Sequence, residues 1–281
     1  MSMKIVRAAL LSCAVLAVGP AMANHAWGNY HWARTSNPLK LTLERQLTSQ
    51  WVASYNGAEA DWEQSTVLEL TRRDSNVGTD PKKCTAITGK ALVCNSAYGR
   101  RGWLGIATIW ASGNHITKAT TKLNDSYHNY SPYNSSAWRN FVTCQEIGHD
   151  FGLAHQDENF DNANLGSCMD YTNNPVSNQH PNSHDYSQLS TIYNHTDSTN
   201  TSATQSTNFG IRVPGQAPIA PPGLNDEPGD SPAEWGREIG SDGQGRPNLY
   251  VKDLGGGNRK ITHVFWAIGE GPAGGHHHDD H

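Results

Sequence analysis

The residues best placed to do chemistry fall in one short run, Cys144-Gln145-Glu146-Ile147-Gly148-His149-Asp150-Phe151-Gly152-Leu153-Ala154-His155. Residues four apart on a helix share a face, so Gln145 and His149 can point at one ion with Glu146 beside it. Gly152 then lets the backbone leave the helix by a conformation that side chains disfavour, and His155 returns to the same ion. A cation with a carboxylate next to its ligands is the apparatus for activating water, the cation as Lewis acid and the carboxylate as base. A helix carrying two incidental histidines would have to reach this spacing by chance.

The run matches H-E-x-x-H-x-x-G-x-x-H at every defining position except the first, where Gln145 stands for histidine. Downstream, Ser167-Cys168-Met169-Asp170-Tyr171 resembles the Met-turn that lies beneath the metal in the same group of proteins. On these motifs residues 27–195 resemble the metzincin zinc endopeptidases, the clan of the matrixins and astacins. The resemblance implies an α+β fold with a twisted mixed sheet, an active-site helix, a Met-turn and a C-terminal helix. It implies Zn2+ held by Gln145, His149 and His155, with Glu146 as the general base that hydrolyses a polypeptide substrate. Gly152 and Met169 take structural roles. Tyr171 stands where the clan's Met-turn tyrosine ligates zinc or stabilises the oxyanion. Residues 102–107 and 115–124 look like the strands that precede the active helix, the later one forming the substrate-binding edge.

The amide oxygen of Gln145 is neutral and a poorer zinc ligand than imidazole. Two outcomes follow. Either Gln145 holds the ion and the chain is a peptidase with an unusual ligand, or the chain is a catalytically inactive binding protein of the same fold. Asp157, His180 and His184 are substitute ligands, each otherwise a solvated loop residue.

The elements that must position these residues show in the hydrophobic pattern. Leu39, Leu41 and Leu43 alternate as a strand does, and Trp51, Tyr55, Ala58 and Trp62 recur at helical spacing. Residues 67–70, 91–94, 103–110 and 116–123 are further strands, rich in Val, Ile, Thr and aromatics and separated by Gly, Asn and Asp. The aromatics are read as core. From Ser135 the pattern turns helical through Trp138, Phe141, Val142 and Ile147 to the stop at Gly152.

Residues 1–23 read as a secretory signal: basic Lys4 and Arg7, an apolar stretch over 8–18, and the small-residue cleavage site Ala21-Met22-Ala23. Leu10-Leu11-Ser12-Cys13 is a second, lipoprotein-like reading of the same segment. Loss of Lys4 and Arg7 takes the formal charge from −5 to −7, which gives no electrostatic case for nucleic acid or an anionic membrane. No later segment approaches the roughly 20 apolar residues of a membrane span. The expected product is a monomer outside the cytoplasm, extracellular or periplasmic. Four cysteines remain, an even count that favours disulfides in an exported chain, with Cys84 to Cys94 closing a hairpin and Cys144 to Cys168. The peptidase domain is assigned to residues 24–195 and a Ser/Thr/Asn/Pro/Gly-rich linker to 196–232. Residues 233–270 form a small β-hairpin segment around Gly255-Gly256-Gly257-Asn258, which docks on the domain or stands alone, and 271–281 are a His/Asp-rich tail.

Overall fold

The computed structural model describes residues 25–75, 80–202 and 226–272. The expected signal segment, most of the expected linker and nearly all of the tail lie outside these residues. In chain order the elements are β1 (His31–Trp32), β2 (Leu39–Gln46), α1 (Ser49–Trp62), β3 (Leu68–Asp74), β4 (Lys90–Ser96), β5 (Trp103–Ser112) and β6 (His115–Asn124). There follow α2 (Asp125–His128), α3 (Ser136–Asp150), α4 (Ser183–Ile192), α5 (Pro232–Trp235), β7 (Arg237–Ser241), β8 (Pro247–Gly255) and β9 (Asn258–Trp266).

All the strands belong to one mixed sheet in the order β3-β2-β4-β6-β5-β9-β8-β7, with the short β1 paired to β6. The first four run parallel, and pairing turns antiparallel from β5 onward. Helices α1 and α3 pack against each other: Trp62 Nε1 donates to Cys144 O and Ser54 Oγ to Asn140 Oδ1. The spacing of Trp51, Tyr55, Ala58 and Trp62 puts all four on the buried stripe of α1. Among the described residues no helix is long and apolar enough to cross a membrane.

Helix α3 starts on the Ser135 side chain, which accepts from Trp138 N. From Phe141 to Asp150 every residue is buried, so this half of the helix runs through the interior and not along the surface. Polar groups buried there need partners. Asp150 accepts from Thr121 Oγ1 at 3.0 Å, and Trp32 Nε1 donates to Asp150 O at 2.8 Å.

Two expected placements change, and one open alternative is resolved. Residues 115–124 do not form an edge, because β6 lies between β4 and β5. Both disulfides are formed, but Cys84–Cys94 closes no hairpin. Cys84 sits in the loop before β4, which runs parallel to both neighbours, and parallel strands cannot be joined by a tight turn. The segment around Gly255-Gly256-Gly257 is a hairpin that docks: β9 pairs along the whole of β5, from Trp103 opposite Trp266 to Ser112 opposite Asn258. Tyr98, Trp103 and Ile106 share a second core with Trp235, Tyr250, Val264 and Trp266. The stretch given to a linker by composition also begins as folded chain. Asp197 N donates to Arg34 O at 2.7 Å, and Thr201 bonds Ala33 through both its amide and its hydroxyl. Polar side chains there replace backbone partners, which hydrophobic patterning does not register.

Candidate metal centre

Helix α3 carries His149 on its last turn. Gly152 follows at φ +95°, and a Cβ there would lie 2.2 Å from Tyr30 O, so only glycine fits. The reversal brings His155 back over His149, with ring centroids 4.8 Å apart. The third partner comes from β9, where His263 lies opposite Ala107 of β5. Its ring centroid is 4.0 Å from that of His149 and 4.4 Å from that of His155. One donor atom from each of the three lies within 4.8 Å of the others, so this group could hold a metal ion.

Each ring has one nitrogen tied down. His149 Nδ1 is 2.8 Å from Leu153 O, His155 Nδ1 is 2.8 Å from Glu158 Oε1, and His263 Nε2 is 2.9 Å from the Tyr171 hydroxyl. A carbonyl and a carboxylate only accept, so the first two rings carry their proton on Nδ1. The remaining nitrogens, His149 Nε2, His155 Nε2 and His263 Nδ1, are buried without a hydrogen-bond partner. Burial holds His149 and His263 well below the usual imidazole range, and the neighbouring imidazoles add to this. That leaves them in the neutral form that ligates. The bare Nε2 lone pairs of His149 and His155, with His263 Nδ1 within 4.8 Å of both, offer a divalent cation three imidazoles, a set that suits zinc.

Glu146 is fully buried, with Oε2 3.5 Å from His263 Nδ1. Burial raises its carboxyl well above the ordinary carboxylate range, Asp150 raises it further, and a hydrogen bond with the Ala107 backbone opposes them. Gly105 makes room for the carboxylate, since a Cβ there would come within 2.8 Å of Glu146 Cγ and Oε1. Beneath the helix, Met169 Sδ packs so tightly that a Cβ on Gly148 would meet it at 2.6 Å. The Cys144–Cys168 disulfide joins α3 to this turn.

Gln145 sits on the same helix with its Nε2 donating to Cys168 O at 3.0 Å, while Oε1 is buried without a partner. The Tyr171 ring packs against His155 with centroids 4.1 Å apart and planes tilted by 32°, and its hydroxyl also accepts from Asn248 Nδ2 at 3.1 Å. None of the substitute ligands joins the cluster. Asp157 bonds Asn159 N and Asn162, His180 bonds Asp61, and His184 groups with His25 and Asp185. His263 carried no signal in the sequence beyond its place in an extended segment, because a lone histidine on a strand has no ligand spacing to betray it.

The centre is covered. Trp27 lies over it, 5.2 Å from the His149 ring and 6.2 Å from that of His263, and its amide donates to Gly152 O at 2.7 Å.

No protein-family model matches the chain, and no curated protein does. Among solved structures, one titled "Crystal structure of myroilysin" matches over 61% of this chain and 89% of its own, with 12% sequence identity and a TM-score of 0.31. A TM-score of 0.31 is too low to establish a common fold.

Proposed function

We propose that this protein is a secreted zinc metalloendopeptidase of metzincin type, whose metal is held by His149, His155 and His263. The observation that carries the reading is the set of three imidazoles, each with one nitrogen fixed by a partner and one left bare, around the Glu146 carboxylate. His263 then supplies the imidazole that position 145 lacks, and Gln145 serves the turn beneath the site through Cys168 O. The two disulfides agree with an exported chain.

A zinc ion bound there would polarise a scissile carbonyl and acidify a water. Glu146 would take that water's proton and deliver it to the leaving amine, its buried position keeping the proton from bulk solvent. Tyr171 is a positioning residue, since its hydroxyl fixes Nε2 of His263 and turns Nδ1 inward. Met169 and Gly152 set the floor and the exit of the helix.

A second reading has an observation of its own. The strand next to α3, β5, is paired on both sides by β6 and β9, so it offers no free edge to a peptide, and Glu146 is sealed from solvent. On that reading the ion is structural and the chain is an inactive binding protein. The deciding experiment measures zinc content and cleavage of an unfolded protein by wild type and Glu146→Ala. The peptidase reading expects zinc in both and a rate about 10²- to 10⁴-fold lower in the variant. Equal cleavage by the two removes Glu146 from the mechanism, and zinc-loaded wild type without cleavage establishes the second reading.

A further inference from the structure

We propose that His31, His195 and Asp197 form a second metal site, flanked by His115, which takes a zinc-class dication and pins the N-terminal segment to the chain beyond α4. Asp197 Oδ1 lies 3.4 Å from His31 Nε2, 3.3 Å from His115 Nε2 and 3.7 Å from His195 Nε2. His31 Nε2 and His195 Nε2 are 3.3 Å apart. His31, His195 and Asp197 each offer a donor atom within 4.8 Å of the other two.

Proton placement in the neutral ring leaves one donor atom of His31 open to a cation. His31 Nδ1 is 2.8 Å from Asn29 O, which can only accept, so the proton of the neutral ring sits there. Its Nε2 then presents a bare lone pair to a carboxylate oxygen and to a second imidazole nitrogen. Asp197 Oδ2 is occupied by Arg34 N at 3.0 Å, which leaves Oδ1 to the imidazoles. All four separations exceed the usual hydrogen-bond range of about 2.7–3.2 Å, His195 to Asp197 at 3.7 Å being the longest and the other three lying at 3.3, 3.3 and 3.4 Å. The three shorter ones match the spacing of about 3.3–3.4 Å between ligands placed roughly 2.0–2.1 Å from a tetrahedral ion. Imidazoles with one carboxylate are a zinc-class set and not a calcium-class one.

The site is separate from the centre on α3. His115 pairs with Ser112, five positions along β5 from Ala107, which faces His263, or about 16 Å by strand rise. An ion there joins β1, the start of β6 and the segment after α4, which already meet through Asp197 N to Arg34 O and Thr201 N to Ala33 O. His31 and His195 also line a surface pocket of about 310 Å³.

The test compares zinc per chain, after dialysis against metal-free buffer, in wild type, His195→Ala and Asp197→Asn. His195 is half exposed, so its loss leaves the core intact. Each variant is expected to hold one zinc fewer than wild type and to lose the part of the zinc-dependent rise in Tm that this site supplies. The histidine-rich tail is common to all three and cancels. The difference of one equivalent holds whether or not the α3 centre is filled, so failure here and failure of the proposed function read separately. Equal zinc content in wild type and both variants overturns the proposal.

Discussion

The histidine clusters around α3 and around Asp197 use nearly the same donors in different settings. Around α3, His149 and His263 are almost fully buried, and every outward nitrogen is tied to a carbonyl, a carboxylate or a hydroxyl. Around Asp197, the side chains of His195 and His115 are 46% and 38% exposed, and the backbone orients only His31 and the carboxylate. Desolvation keeps His149 and His263 neutral, and the hydrogen bonds hold all three rings within narrow geometry, which an ion needs if it is to act on a substrate. Water reaches His195 and His115 of the second set, and its carboxylate, Asp197, is itself one of the proposed ligands, so an ion there would tie chain segments together. The difference lies in the surroundings of the ligands and not in their identity.

Replacing His263 is the sharpest way to break this comparison. His263→Ala is expected to lose the buried equivalent of zinc and all measurable hydrolysis, while metal analysis still finds the equivalent at Asp197. Undiminished zinc in that variant would return Gln145 to the ligand set. Next in size is the Cys144 to Cys168 bridge, which anchors the floor of the buried centre and has no counterpart at the surface cluster. Its double alanine replacement should lower the unfolding free energy by about 3 kcal/mol, the usual cost for a closed loop of this length, read from the urea midpoint. A midpoint that does not move would mean that packing alone joins α3 to the Met169 turn. Smallest is Tyr171→Phe, which removes only the hydroxyl that orients His263. Zinc at the buried centre should bind roughly 10- to 100-fold more weakly in a chelator competition, with zinc at the surface cluster unaffected. Equal affinity would show that β9 alone orients the ring.

Much of the first cluster was legible because it is local. The positions of Glu146 and His149 on a helix, the reversal at Gly152 and the return of His155 all follow from spacing within a dozen residues, and the chain adopts them. Residue pattern likewise marked the strands, β2 by alternation and β5 and β6 by their Ile, Thr and aromatic content. It could not say which strands are neighbours, because a β-strand shows the same two-residue period at an edge as in the middle of a sheet. That is why residues 115–124, expected at the substrate edge, lie inside, and why the edge of β5 belongs to β9.

The sequence by itself determined the helix, its carboxylate, two imidazoles, the glycine exit and an even set of cysteines, whose pairing the fold decided. Only the tertiary structure decided the third imidazole, since the pairing of β9 with β5 sets it and no spacing in the chain encodes that pairing. The same holds for His31, His115, His195 and Asp197, which converge because β1 docks on β6 and the chain after α4 folds back on Arg34. Local periodicity records which face a residue presents, whereas a metal site is completed by whichever distant element the sheet brings to that face.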